Sequence, residues 1–183
     1  MLPVNTQNAL GIDIGSTTTK IVLVRSGQIV YEKYERHLSR VREKTLELIE
    51  EIRPLLEAVP FTVALSGSAG LGVAEAAGIP FVQEVYATGE VVRCLEPDTS
   101  AVIELGGEDA KVIFFTGGVD ERMNGSCAGG TGAFIDQMAV LLNMTVAEMD
   151  AASLQAEKLY PIASRCGVFA KTDIQPLLNQ GAR

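Results

Sequence analysis

Asp13-Ile14-Gly15-Ser16-Thr17-Thr18-Thr19-Lys20 lies between two apolar runs, Ala9 to Ile14 and Lys20 to Arg25. Both runs have the β-branched character of strands, and Gly15 to Thr19 makes the tight turn between them. Ser26-Gly27-Gln28 is a second turn, and Ile29 to Glu35 alternates apolar and polar residues as a third strand. Three strands on short turns predict an antiparallel meander. The pattern returns roughly 90 residues later. Ser100 to Leu105 and Ala110 to Phe115 flank the turn Gly106-Gly107-Glu108-Asp109, and Val119 to Met123 is another third strand. Each meander carries an acid beside a glycine turn, and helices follow each one. This predicts a duplicated α/β fold of two lobes, with antiparallel three-strand meanders flanked by helices and the two turns facing each other across a cleft.

The helices are read from apolar spacing. Arg40 to Ala58 places Val41, Leu46, Ile49, Ile52, Leu55 and Leu56 at helical intervals, with Pro54 set to kink or end it. Phe61 to Leu65 is a strand entering the small-residue turn Ser66 to Gly70, and Leu71 to Ala77 is a short helix closed by Gly78. Ala87 to Leu95 is a further helix, stopped by Pro97. After the second meander comes Asn124-Gly125-Ser126-Cys127-Ala128-Gly129-Gly130-Thr131-Gly132, then a helix to about Asn143. Thr145 is a candidate N-cap for one or two helices reaching Leu159, and Ala170 to Asn179 is the last helical segment. The expected organisation is a disordered segment over 1–8, a first lobe over 9–98 and a second over 99–183.

Composition narrows the function classes. A chain of 183 residues, 47% hydrophobic and 21% charged, is an ordinary globular sequence. Its net charge of −8 argues against a nucleic-acid surface, which needs a basic footprint. No apolar run has the length of a membrane span, and the first eight residues lack the features of a signal peptide. Three widely spaced cysteines, Cys94, Cys127 and Cys166, do not form a disulfide framework, which fits a reducing cytoplasm.

The first turn concentrates backbone N–H groups, four hydroxyls and the Lys20 ammonium within eight residues. That chemistry suits a polyphosphate, with Asp13 able to hold hydrated Mg²⁺. The same residues also fit a plain hairpin whose hydroxyls satisfy their own turn. The Walker pattern is absent, so a P-loop NTPase is excluded. In the second turn Gly106 and Gly107 allow close approach, while Glu108 and Asp109 can orient water or metal. Gly129-Gly130-Thr131-Gly132 at a helix start offers a third set of N–H donors for an anion, with Cys127 just ahead of it. Cys94 lies among Val91, Val92 and Leu95 and is expected in the core, and His37, beside Arg36, at a solvated strand end.

The two hairpin turns resemble the phosphate motifs of the sugar kinase–heat-shock chaperone–actin superfamily. Four motifs together resemble one branch: Asp13-Ile-Gly-Ser-Thr-Thr-Thr-Lys20, Glu104-Leu-Gly-Gly-Glu-Asp-Ala-Lys111, Cys127-Ala-Gly-Gly-Thr-Gly-Ala-Phe134 and Cys166-Gly-Val-Phe-Ala-Lys-Thr-Asp173. That branch is the ATPase activator component of 2-hydroxyacyl-CoA dehydratases, related to the ATPase subunits of benzoyl-CoA reductase. The resemblance implies an actin-like, ribonuclease H-like two-lobe ATPase fold with ATP or ADP and Mg²⁺ between the lobes. It implies one-electron transfer from a 4Fe–4S cluster to a dehydratase or reductase partner, with ferredoxin or flavodoxin as donor. It also implies one cluster per homodimer, with Cys127 and Cys166 as each chain's ligands. A cubane needs about four thiolates, and a two-fold interface would supply the missing pair. Without the resemblance, the two cysteines fit small buried residues equally.

Carried over in this way, Asp13, Glu108 and Asp109 are the candidate catalytic residues. Gly15, Ser16, Thr17, Thr18, Lys20, Gly106, Gly107, Gly129, Gly130, Thr131 and Gly132 are the candidate nucleotide contacts. The family's second turn usually reads Asp-Ile-Gly-Gly-Gln-Asp, so Glu104 and Glu108 are departures, and Glu108 adds a charge near phosphate. Such activators continue past the second cysteine motif, so the chain is expected to be a C-terminally truncated fragment with weakened nucleotide binding. Two other classes fit parts of the pattern. A small-metabolite kinase would use the turns and leave the cysteines without a role, and a silent actin-like interaction module would use neither.

Overall fold

In a computed structural model of the chain, residues 8–56, 60–124 and 127–182 are described. The expected N-terminal segment lies outside them except for Asn8, which opens the first strand. The end of the expected first long helix (57–58) and two residues of the Cys127 run (125–126) also lie outside. The chain divides into two units, one comprising Met1–Ser100 with Phe115–Val119, the other Ala101–Phe114 with Asp120–Arg183.

In the first unit, β1 (Asn8–Ile14), β2 (Thr18–Arg25) and β3 (Gln28–Arg36) form the expected antiparallel meander. After α1 (Val41–Leu56), β4 (Thr62–Ser66) pairs in parallel with β1, giving the order β3-β2-β1-β4. Alternation along β1 buries Leu10, Ile12 and Ile14 on one face. These meet Ile21, Leu23 and Leu65 from the sheet and Leu48 and Ile52 from α1 in one core. Pro54 stands inside the last turn of α1 without ending it. The helix α2 (Leu71–Ala77) closes on Gly78, whose left-handed φ of 65° suits a residue without Cβ. The helix α3 (Glu84–Leu95) begins three residues before its expected start at Ala87. Phe115 returns to this unit, its N–H donating to Ser100 O at 2.9 Å and its ring lying 5.8 Å from the Arg93 guanidinium carbon.

Two side chains, His37 and Cys94, lie elsewhere than their sequence neighbours imply. His37 is buried, 4% exposed, because its ring and main chain bond to the β1–β2 turn. Cys94 is exposed, as are its helix neighbours Val91 and Leu95, so that face of α3 is not core.

In the second unit, β5 (Ala101–Leu105), β6 (Ala110–Phe114) and β7 (Asp120–Met123) form an antiparallel sheet in that order. The helices α4 (Gly132–Leu141), α5 (Val146–Ser153) and α6 (Gly167–Asn179) follow. Thr145 caps α5 with its hydroxyl on the Glu148 N–H while the Glu148 carboxylate returns to the Thr145 N–H, a capping box. That bonding holds the Glu148 carboxyl below its ordinary value. Residues 154–159, expected to be helical, lie beyond α5. None of the described helices is long and apolar enough to cross a membrane.

Between β3 and α1, Lys33 pairs with Glu51 at 2.7 Å, and Lys44 with Glu35 at 2.9 Å and Glu47 at 2.6 Å. Hydrogen bonds to these lysines hold Glu35, Glu47 and Glu51 below the usual carboxylate value. A lowered carboxyl contributes stability above its unfolded pKa and loses it as pH falls through the folded value. The thermal midpoint should therefore fall once the pH drops below the ordinary glutamate range, and Glu35→Gln with Glu51→Gln should flatten that fall. Ile52→Ala empties a fully buried site and should cost about 2–5 kcal/mol in urea denaturation.

Candidate functional site

The β1–β2 ladder sets Asp13 opposite Lys20, on the side of the hairpin away from Ile12 and Ile14. Lys20 Nζ lies 2.7 Å from Asp13 Oδ2. Asp13 Oδ1 is buried and has no hydrogen-bond partner. Gly67, just past β4, presses on this carboxylate from a φ of +93°, and a Cβ there would stand 2.3 Å from Asp13 Oδ1 and from Ile14 O. Gly67 was not legible as a site residue. The parallel pairing that places Ser66 beside Asp13 was the missing information. The turn itself is shorter than expected, because β2 starts at Thr18 and the Gly15 N–H donates to Thr18 O at 2.9 Å. Ser16 is exposed at the tip and Thr17 is half-buried, whereas Thr18 and Thr19 are buried strand residues. Gly15, Ser16, Thr17 and Lys20 are thus gathered at one turn with Asp13.

The second hairpin repeats the register, with Glu104 opposite Lys111. Lys111 is buried, its Nζ 3.5 Å from Glu104 Oε1 and 3.4 Å from Asp109 Oδ2. It was not singled out from the sequence, although the Asp13/Lys20 spacing repeated at Glu104/Lys111 carries the signal. Gly106 admits the Asp109 carboxylate, since a Cβ there would lie 2.0 Å from Asp109 Oδ1. Glu108 is exposed at the tip.

The start of α4 was expected to present unpaired donors to an anion, and the structure engages them otherwise. Gly132 N–H donates to Gly106 O at 2.7 Å and Ala133 N–H to Gly107 O at 3.0 Å. Thr131 is fully buried, with its hydroxyl donating to Ala128 O at 2.6 Å. Gly132 and Ala133 therefore hold the second turn in place.

Cys127 is exposed, Cys166 is half-buried, and both are free thiols. Gly129 N–H lies 3.4 Å from Cys127 Sγ. A Cβ on Gly129 would stand 3.3 Å from that sulfur and 3.1 Å from the N of Gly167, the residue after Cys166. One loop cluster therefore carries both cysteines, with Cys166 at the N-cap of α6, where the helix dipole favours negative charge. Asn124, absent from the expected set, ties this loop to the second turn. It accepts from Ala110 N–H at 2.8 Å and donates through Nδ2 to Cys127 O at 2.7 Å. Two thiolates are half of a cubane's ligand set. Among the described residues no group of three or more His, Cys, Asp or Glu gathers to hold a metal. The residues fit such a cluster only when it is shared between two copies. For phosphate and a hydrated cation, the unpaired Asp13 Oδ1 beside Lys20 is a fitting anchor.

Comparison with known proteins follows the same lines. The profile of the BadF/BadG/BcrA/BcrD ATPase family matches residues 10–183. Over 180 residues the chain is 31% identical to the (R)-2-hydroxyglutaryl-CoA dehydratase activating ATPase of Acidaminococcus fermentans, covering 94% of this chain and 68% of that protein. It is 31% identical over 179 residues to the activator of lactoyl-CoA dehydratase of Anaerotignum propionicum, covering 94% and 68%. The structure superposes on the activator of the 2-hydroxyisocaproyl-CoA dehydratase from Clostridium difficile with bound ADPNP at a TM-score of 0.82. The identity there is 28%, and the match covers 96% of this chain and 67% of that one. The chain thus spans about two thirds of these relatives.

Gly67→Ala combines left-handed strain with the contact on Asp13 and Ile14. It should lower stability by about 1–3 kcal/mol in urea denaturation. Gly27→Ala, at a φ of +79° with open space around it, should lose less.

Proposed function

The chain belongs to the BadF/BadG/BcrA/BcrD ATPase family, and from that premise we propose that it couples ATP hydrolysis to one-electron delivery to a 2-hydroxyacyl-CoA dehydratase or benzoyl-CoA reductase-type partner. When bound, ATP supplies the transferable phosphoryl group and a 4Fe–4S cluster supplies the one-electron couple. In the first unit Lys20 would neutralise phosphate oxygens and the tip residues Ser16 and Thr17 would donate to them, with Gly15 giving the close approach, while Asp13 would hold a hydrated Mg²⁺. In the second unit Gly106 and Gly107 present N–H groups, and Asp109, kept in place by Lys111, orients water. Cys127 and Cys166 offer two thiolates, and a second copy of the chain offers the same pair.

The observation that carries this reading is the bonded continuity of the second unit. Gly132 and Ala133 clasp the carbonyls of the glycine turn, and Asn124 runs from Ala110 to Cys127. A change at the turn is therefore felt at the cysteine loop through hydrogen bonds. A metabolite kinase would need no such link to exposed thiols.

The test is anaerobic purification followed by iron, sulfide and ATPase assays. About four irons per two chains are expected, with broad visible absorbance lost in Cys127→Ser and in Cys166→Ser and kept in Cys94→Ser. Mg²⁺-dependent hydrolysis should fall by roughly 10²–10³-fold in Asp13→Ala. An iron-free protein that hydrolyses ATP normally and phosphorylates a small alcohol would overturn the electron-transfer reading in favour of the kinase.

A further inference from the structure

The chain has a single histidine, His37, buried where β3 turns towards α1. Its Nδ1 accepts from Ser39 N–H at 3.2 Å, which leaves the ring proton on Nε2. Nε2 lies 3.1 Å from Gly15 O and donates to it. The main-chain N–H of His37 donates to Thr17 O at 3.2 Å. One residue thus grips two carbonyls of the first turn. The chain reverses here through left-handed backbone at Leu38 (φ 49°) and Ser39 (φ 64°), neither of them glycine. Such conformations cost free energy and persist only where neighbouring bonds enforce them. Leu38 itself is largely exposed and packs into nothing that would explain the strain. What the reversal achieves is the return of Ser39 N–H to the ring, which fixes its tautomer and aim.

In a trans peptide the C=O and the following N–H point in opposite directions, and no peptide among the described residues is cis. Holding Gly15 O towards His37 turns Ser16 N–H away from it, whereas Thr18 N–H lies on the same side as Thr18 O, which accepts from Gly15 N–H, and so faces across the hairpin. The second unit contains the same device in another form. There α4 holds the carbonyls of Gly106 and Gly107, which turns the N–H groups of Gly107 and Glu108 outward. We infer that His37 is a positioning residue that aims the Ser16 N–H of the first turn at the polyphosphate of the nucleotide. This rests on the nucleotide reading given above.

The test uses the purified protein, three His37 variants and Asp13→Ala, measuring MgATP dissociation constant, kcat and thermal midpoint. His37→Asn keeps an acceptor for Ser39 N–H but is too short to reach Gly15 O. His37→Gln extends an amide donor to Gly15 O, and His37→Ala removes both bonds. Expected is about tenfold weaker MgATP binding in the Asn variant, with a thermal midpoint near that of the unaltered protein, and near-normal binding in the Gln variant. Equal binding by the unaltered protein and the Asn variant overturns the inference alone. So does a Gln variant that melts normally and binds as poorly as the Ala variant. If the unaltered protein binds no more MgATP than Asp13→Ala, the nucleotide reading itself fails, and the inference with it.

Discussion

Asp13 and Lys20 stand opposite one another in the β1–β2 ladder, and their charges meet at 2.7 Å just below the turn. The register that pairs them also sends Ile12, Ile14 and Ile21 into the core. A slip of one residue would bury the charges and expose the isoleucines, so the same hydrophobic pattern that stabilises the sheet sets the position of the acid. The second unit repeats the pairing with Glu104 and Lys111, but there the lysine shares its face with buried Ile113 and the apolar Ile103 and Leu105 are exposed. In both places the register of the strands sets the acid and the lysine opposite each other below the turn.

The hairpins were readable from sequence because their signals are local: period-two alternation, glycine at the turn, and an acid and a lysine at fixed spacing. The same holds for Gly78 and the Thr145/Glu148 capping box. What escaped were long-range partners. Nothing near Gly67 announces that β4 will run parallel beside β1 and bring that glycine against Asp13. His37 looked solvated because Arg36 and Leu38 flank it, yet the reversal after it folds the ring inward. The start of α4 looked like an anion site because its sequence is rich in glycine, and only the fold shows that the neighbouring turn's carbonyls engage those donors. Thr18 and Thr19 looked like turn hydroxyls, and the ladder draws them into the strand.

The chain belongs to an ATPase family and has an actin-like fold, and its cysteine loop lies beside the second turn. Its thiols are exposed or half-buried, its backbone is bonded to the second turn through Asn124, and Gly167 lies close enough that a Cβ at position 129 would be in tight contact.

The path of the chain between the units bears on how such a protein is inherited. The first unit is discontinuous, since Phe115–Val119 rejoins it after β5 and β6 have been built in the second. Phe115 is bonded to Ser100 and stacked near Arg93, so it is part of the first unit's fabric. A recombination breakpoint between the meanders would strip the upstream half of this segment and leave the downstream half an orphan. The first unit is therefore not a contiguous stretch of chain, and cutting it out between the meanders would leave it without Phe115.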